Sequence, residues 1–179
     1  MRLDPTPLAG AFVVEQERRA DERGYFARTF DAEVFAAAGG DGRVAQCNTS
    51  FNTRAGTLRG MHFQAAPYGE AKLVRCTRGA IFDVLIDLRD DSMTRLQWFG
   101  AELSQDNGRG LFIPDGFAHG FQTLTDDAEV SYQMSVPFQD GAGRGVRWDD
   151  PAFGVQWPDA PVGGRTISER DAAYSDFAT

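Results

Sequence analysis

The chain has 179 residues, 42% of them hydrophobic, and a formal charge of -8 at neutral pH with a pI near 4.7. That length and apolar content suffice for one compact domain, expected to span residues 1–179, and no shift in composition suggests a second. So acidic a chain excludes nucleic acid and anionic membranes as expected partners, because both require a basic face that displaces counterions.

The opening stretch Met1-Arg2-Leu3-Asp4-Pro5-Thr6-Pro7 lacks the apolar core of a signal peptide. No segment approaches the roughly 20 apolar residues that cross a bilayer, so a soluble, cytoplasmic protein is expected. Cys47 and Cys76 are too few for a disulfide framework, and with two histidines at scattered spacing they match no zinc pattern. Both are expected to be reduced, structural thiols.

Fourteen Phe, three Trp and four Tyr among 20 Gly and 8 Pro describe short segments broken by turns, which favours a mostly β sandwich or barrel. A first strand is expected over 8–14. A charged turn follows over 15–22, and Arg23-Gly24-Tyr25-Phe26 leads into a second strand. Residues 31–38 form the best helix candidate of the first half, with Asp31 as N-cap and Gly39-Gly40 as stop. Extended segments are expected near 43–51, 57–64, 70–78, 80–88, 96–103, 110–113, 117–124 and 128–135, with turns at Asp106-Asn107-Gly108 and Asp126-Asp127. That is about the strand count of a jelly roll. Beyond Phe138 the chain is rich in Gly, Pro and Asp, and Ser168 is placed to cap a last short helix.

Residues 57–64, Thr-Leu-Arg-Gly-Met-His-Phe-Gln, hold one of the two histidines. Imidazole serves as base, acid or metal ligand near neutral pH. Arg59 three positions before His62 and Lys72 ten after it suggest an anionic ligand. Read alone, His62 is as well explained by an ordinary hydrogen-bonded histidine.

Strand side chains alternate between faces. By that parity Lys72 lies with Val74 and Cys76, His119 with Phe117 and Phe121, and Tyr132 with Val130 and Met134. Gln46, Asn48 and Ser50 share a face, whereas Arg59 and His62 fall on opposite faces unless Gly60 marks a bulge. Singly, Lys72 reads as a lysine snorkelling to a rim, Tyr132 as a core tyrosine and His119 as a buried neutral imidazole. Jointly, inward polar groups on several strands point to a wet, ligand-holding cavity, since a dry core charges heavily for each.

A metal-dependent β-barrel enzyme needs three or four ligands, often histidines close together, and the chain has no His-x-His pair. A metal is therefore not expected. The nucleophile elbow, the phosphate-binding loop and the dinucleotide fingerprint are absent too. Proton transfer without a cofactor remains: a histidine base, a tyrosine acid and a lysine beside an oxygen that gains negative charge. Such a set suits abstraction of a proton next to a ketone.

The chain resembles the dTDP-4-dehydrorhamnose 3,5-epimerase family. The likeness runs through Arg23-Gly24-Tyr25-Phe26, Gln46-x-Asn48-x-Ser50, Leu58-Arg59-Gly60-Met61-His62-Phe63-Gln64, Lys72-Leu73-Val74, Phe82-Asp83-Val84 and Pro114-x-Gly116-Phe117-Ala118-His119-Gly120-Phe121. It continues at Tyr132, Trp148-Asp149-Asp150-Pro151, Trp157-Pro158 and Ser168-Glu169-Arg170-Asp171.

The resemblance implies a cupin-like jelly roll, a homodimer with an exchanged N-terminal strand, no metal, and a nucleoside-diphosphate-linked 4-keto-6-deoxysugar as substrate. It makes His62 the base, Asp171 its carboxylate partner, Tyr132 the acid on the opposite face and Lys72 the enolate stabiliser. Asp83 and His119 are implied near the sugar. Arg23, Arg59, Gln46 and Asn48 are implied to hold diphosphate and sugar, with Arg170 near the diphosphate and Phe138 against the base. Without the resemblance, Asp171 reads as the closing residue of a capping box with Ser168.

Three positions depart from the family pattern. Arg28 stands where a carboxylate is usual, Phe138 where tyrosine is usual, and Gly143 close to a usual glutamate. The expected activity is inversion at C3, C5 or both, on a dTDP-, CDP- or GDP-linked sugar. A 3,4-ketoisomerase is disfavoured because it needs a second histidine close to the first. A non-catalytic sugar-nucleotide-binding cupin needs neither base nor acid.

Overall fold

A computed structural model describes residues 1–177. Two antiparallel sheets face each other. The first holds β1 (Arg2–Pro5), β2 (Phe12–Glu15), β10 (Gly110–Ile113), β7 (Lys72–Arg78), β12 (Ala128–Met134) and β5 (Gln46–Asn52), in that order. The second runs β13 (Gly143–Gly145), β6 (Thr57–Gln64), β11 (Phe117–Thr123), β8 (Ala80–Asp87) and β9 (Trp98–Ser104), and β14 (Thr166–Ile167) pairs in parallel with β6. A separate hairpin joins β3 (Arg19–Asp21) to β4 (Gly24–Phe26), and the helices are α1 (Ala32–Ala37) and α2 (Glu169–Ala172). This is the mostly β sandwich that the segment spacing predicts, in the cupin-like form that the resemblance implies.

The main core lies between the sheets. Val74, Cys76, Leu111 and Val130 from one sheet meet Ile81, Leu85, Leu103, Phe117 and Phe121 from the other. The parity expected for β7, β11 and β12 is therefore realised, and Lys72, His119 and Tyr132 enter the same interlayer space at one end. Val14, Phe35, Leu73 and Phe112 form a second cluster under α1. Asp31 caps that helix, its Oδ1 accepting from the N–H groups of Glu33 and Val34.

The expected first strand over 8–14 is corrected. The chain extends over Arg2–Pro5, turns through Pro7 and Gly10, and pairs back over Phe12–Glu15, with Leu8 buried in the turn. Pro5 is tolerated because β1 is an edge strand with no further neighbour among the described residues. The expected charged turn over 15–22 contains β3, turned at Asp21, whose Oδ1 accepts the N–H of Arg23.

No helix among the described residues is long and apolar enough to cross a membrane. Cys47 and Cys76 are free, and burial pushes the Cys76 thiol up to about 11, which suits an inert thiol.

Asp87 ends β8 wholly buried, bonded to the Arg89 guanidinium and to the hydroxyls of Ser92 and Thr94. Burial alone raises its carboxyl, but these bonds outweigh it and bring the group down to about 2 from 3.8. A group depressed in this way stabilises the fold above about pH 4 and loses that contribution as pH falls towards 2. Asp87→Asn is therefore expected to cost about 2 kcal/mol at pH 7 and to flatten the acid side of the stability curve, read from urea unfolding at pH 7 and pH 3.

Candidate active site

The site is a cavity of about 370 Å³ between the two sheets, a size suited to a small-molecule ligand. Its wall includes His62 from β6, His119 from β11, Lys72 from β7, Tyr132 from β12, and Asn48 and Ser50 from β5. Arg59, Arg144, Arg170 and Phe138 complete the mouth. His62 thus comes from one sheet and Tyr132 from the facing one, so the two line the cavity from opposite sides.

A bulge brings Arg59 and His62 to one face. His119 pairs with His62 and Phe121 with Arg59, so three steps along β6 match two along β11. Gly60 supplies the irregular backbone with φ +131°, and a Cβ there would stand 2.5 Å from Gly120 Cα. Strict alternation cannot foresee this, although Gly60 is the residue that signals it.

His62 Nε2 lies 2.7 Å from Asp171 Oδ1, across 109 residues of sequence. The other oxygen of Asp171 accepts the N–H of Gly60 at 3.2 Å. Burial raises the Asp171 carboxyl, but the hydrogen bond and charge of His62, the Gly60 N–H and the Ser168 hydroxyl together hold it below the usual carboxylate range. An ionised Asp171 accepts from Nε2–H, which leaves Nδ1 as the basic atom of the neutral ring. Ser168 does cap α2, its hydroxyl accepting the N–H of Asp171. The carboxylate, however, is spent on His62 and Gly60, so the capping-box reading covers only half of the contact.

Tyr132 Oη is 3.1 Å from Ser50 Oγ. Burial pushes its phenol well above the ordinary value, with the Ser50 hydrogen bond opposing, so the hydroxyl keeps its proton at neutral pH. His119 stands edge-on to the Tyr132 ring at 6.3 Å and bonds Asp83 Oδ1 through Nε2 at 2.7 Å. Asp83 is wholly buried behind His119 rather than on the cavity wall.

Lys72 pairs with Glu70 at 3.0 Å, both side chains 7% exposed. Lys72 therefore does not snorkel out. Glu70 has no expected role, although it opens the expected segment 70–78 with the parity of Lys72; the strand itself begins at Lys72, and Glu70 precedes it.

Two sequence-predicted residues lie elsewhere. Arg23 sits on the β3–β4 hairpin, paired with Asp21 and outside this chain's cavity. Gln46 uses its side-chain oxygen to accept the Phe138 N–H at 2.8 Å, so it holds the Phe138 segment instead of lining the wall. Gly143 leaves open space, and a Cβ there would come no closer than 3.8 Å to Arg170 Nη2 and 4.0 Å to Phe138 Cε2. Arg28 pairs with Asp31 in the α1 cap, away from the cavity. Among the described residues, no three His, Cys, Asp or Glu side chains converge as a metal site.

The arrangement can take a proton from one side of a bound molecule and return one from the other, beside a buried ammonium and under three arginines.

The family model described as dTDP-4-dehydrorhamnose 3,5-epimerase matches residues 5–179. The dTDP-4-dehydrorhamnose 3,5-epimerase of Methanothermobacter thermautotrophicus is 46% identical, covering 95% of this chain and 91% of its own. The dTDP-4-dehydrorhamnose 3-epimerase of Streptomyces niveus is 38% identical over 96% of this chain and 81% of its own. The crystal structure of the 3,5-epimerase of Bacillus anthracis, with TDP and PPi bound, superposes with a TM-score of 0.92 at 35% identity, covering 98% of this chain and 99% of that one. On sequence and structure alike, the chain belongs to the dTDP-4-dehydrorhamnose 3,5-epimerase family.

Proposed function

We propose that the protein inverts C3, C5 or both of a dTDP-linked 4-keto-6-deoxyhexose, without a metal or other cofactor. The observation that carries this reading is the placement of the His62–Asp171 pair and Tyr132 on facing sheets across one cavity. Nδ1 of His62 removes the proton beside the C4 ketone. The ammonium of Lys72 stabilises the enolate oxygen, with His119 alongside it. The Tyr132 hydroxyl then returns a proton to the opposite face, and inversion follows. Arg59, Arg144 and Arg170 hold the diphosphate, Asn48 the sugar, and Phe138 stacks on the base.

Deuterium NMR in heavy water is the direct test. Incubation with dTDP-4-keto-6-deoxyglucose is expected to place deuterium at C3, C5 or both and to yield inverted sugar. Absence of exchange at either carbon with dTDP-, CDP- and GDP-linked substrates alike would sink the epimerase reading. Exchange only with the CDP or GDP sugar would assign the nucleotide differently, and Arg28, Phe138 and Gly143 are the positions to explain it.

The working unit is proposed to be a cytoplasmic homodimer in which the β3–β4 hairpin exchanges, so that Arg23 serves the partner's site. Support comes from Arg23 lying outside its own cavity and from Tyr25 and Phe26 on that hairpin, 55% and 75% exposed. Exposed aromatics of this kind commonly mark a protein interface. Two variants, Arg23→Glu and His62→Ala, each inactive alone, are expected to regain about a quarter of wild-type activity when co-refolded, because half of randomly paired dimers carry one intact site. No recovery on mixing would mean that Arg23 does not act across subunits.

A further inference from the structure

Lys72 is the only lysine in the chain, the other 17 members of its 18 Lys and Arg being arginine. It is buried, and its ammonium pairs with Glu70 at 3.0 Å. A carboxylate beside a buried ammonium can serve merely to offset its desolvation. Two features take Glu70 further. It lines the same cavity as Lys72, and its second oxygen accepts from Gln64 Nε2 at 3.1 Å. Gln64 is buried in turn, and its Oε1 accepts the backbone N–H of Gln139 at 2.9 Å. A continuous chain of polar contacts therefore runs from the ammonium to the residue after Phe138.

We propose that Glu70 is a positioning residue for this reaction: it holds the Lys72 ammonium in place at the cavity, and through Gln64 it couples that ammonium to the Phe138 segment. The inference rests on the role assigned to Lys72 above. An ammonium has three donors, so an ion pair with a single Glu70 oxygen leaves donor capacity for the oxygen that gains charge. A lysine on a four-carbon stem is otherwise a mobile point charge, whereas stabilisation of a developing enolate requires a donor already in place. The coupling gives the base end of the substrate a route to the reacting end, because whatever fixes Phe138 and Gln139 also fixes Gln64 and Glu70.

A single lysine makes the test unambiguous, since protein labelled with 13C at the lysine ε carbon gives one lysine resonance. Glu70→Gln keeps the shape and removes the charge. It is expected to lower kcat by about tenfold to a hundredfold with KM within about twofold, and to displace the lysine ε-carbon resonance as the ammonium loses its fixed partner. Glu70→Asp is expected to restore part of the rate. Gln64→Met removes both hydrogen bonds while leaving the ion pair, and its smaller loss in kcat should be non-additive with that of Glu70→Gln.

A folded Glu70→Gln protein with wild-type kcat and an unmoved lysine ε-carbon resonance overturns the proposal. If Glu70→Gln fails to fold, wild-type kcat and an unmoved resonance in Gln64→Met overturn it instead. Lys72→Met separates this inference from the reading beneath it. Full activity in Lys72→Met removes the enolate role of Lys72 itself, whereas a large loss there with an unaffected Glu70→Gln removes only the role of Glu70.

Discussion

Replacing His62 by alanine is expected to lower kcat by about 10² to 10⁴-fold, the range for loss of a positioned acid–base group, while leaving substrate binding within a few-fold. A proton next to a ketone is far less acidic than imidazolium, and each pKa unit of mismatch costs about 1.36 kcal/mol. Water admitted in place of the ring is a weaker base and is not held in line. The contacts proposed for the diphosphate and base belong to Arg59, Arg144, Arg170 and Phe138, which line the cavity and are unchanged in the variant. Binding should therefore survive, and isothermal titration with dTDP alongside steady-state kinetics separates the two effects. The side chain of His62 is 43% exposed, so its removal opens little buried space and folding should change little.

Asp171→Asn is expected to lower kcat by a comparable factor, about 10² to 10⁴-fold, with little loss of stability. An ionised carboxylate accepts from Nε2–H of His62 and so leaves Nδ1 unprotonated. An asparagine amide that donates to Nε2 instead favours the other tautomer, with its proton on the atom that must act as base. It also withdraws the negative charge that stabilises the imidazolium formed on proton abstraction. Stability should hold because the cap of α2 uses the Ser168 hydroxyl and the backbone N–H of residue 171, both of which the variant retains. The outcome separates two roles of one residue. A protein that unfolds in mild urea, yet turns over at the wild-type rate per folded molecule, would return Asp171 to helix capping.

What could be read in the amino-acid sequence follows from the physics of each element. Lys72, His119 and Tyr132 were legible because strands alternate with a period of two and their apolar neighbours set the phase. Asp31 with Gly39-Gly40 marked α1 because capping chemistry is local. Arg59 and His62 were not placed together, since the bulge at Gly60 shifts the register between β6 and β11. Asp171 is visible only through the family pattern, because its partner lies 109 residues away and its local surroundings read as a cap. Glu70 shares the parity of Lys72 in the expected segment 70–78, but a lone acid at the start of a segment reads as a solvated end, and the strand in fact begins at Lys72. Strands β1, β13 and β14 are two to four residues long, too short for alternation to show. Arg23 and Gln46 have the composition of site residues, but one sits on an exposed hairpin and the other supports a backbone.

The central claim is that His62 and Tyr132 act on opposite faces of the same carbon, and solvent deuterium exchange in single variants tests it most directly. In Tyr132→Phe, recovered substrate is predicted to gain deuterium without change of configuration, because His62 still removes the proton and returns a solvent-derived one to the same face. In His62→Ala, exchange and inversion are predicted to fall together, by about the same 10² to 10⁴-fold as kcat. Inverted product from Tyr132→Phe at the wild-type rate, or exchange at the wild-type rate in His62→Ala, would contradict the account.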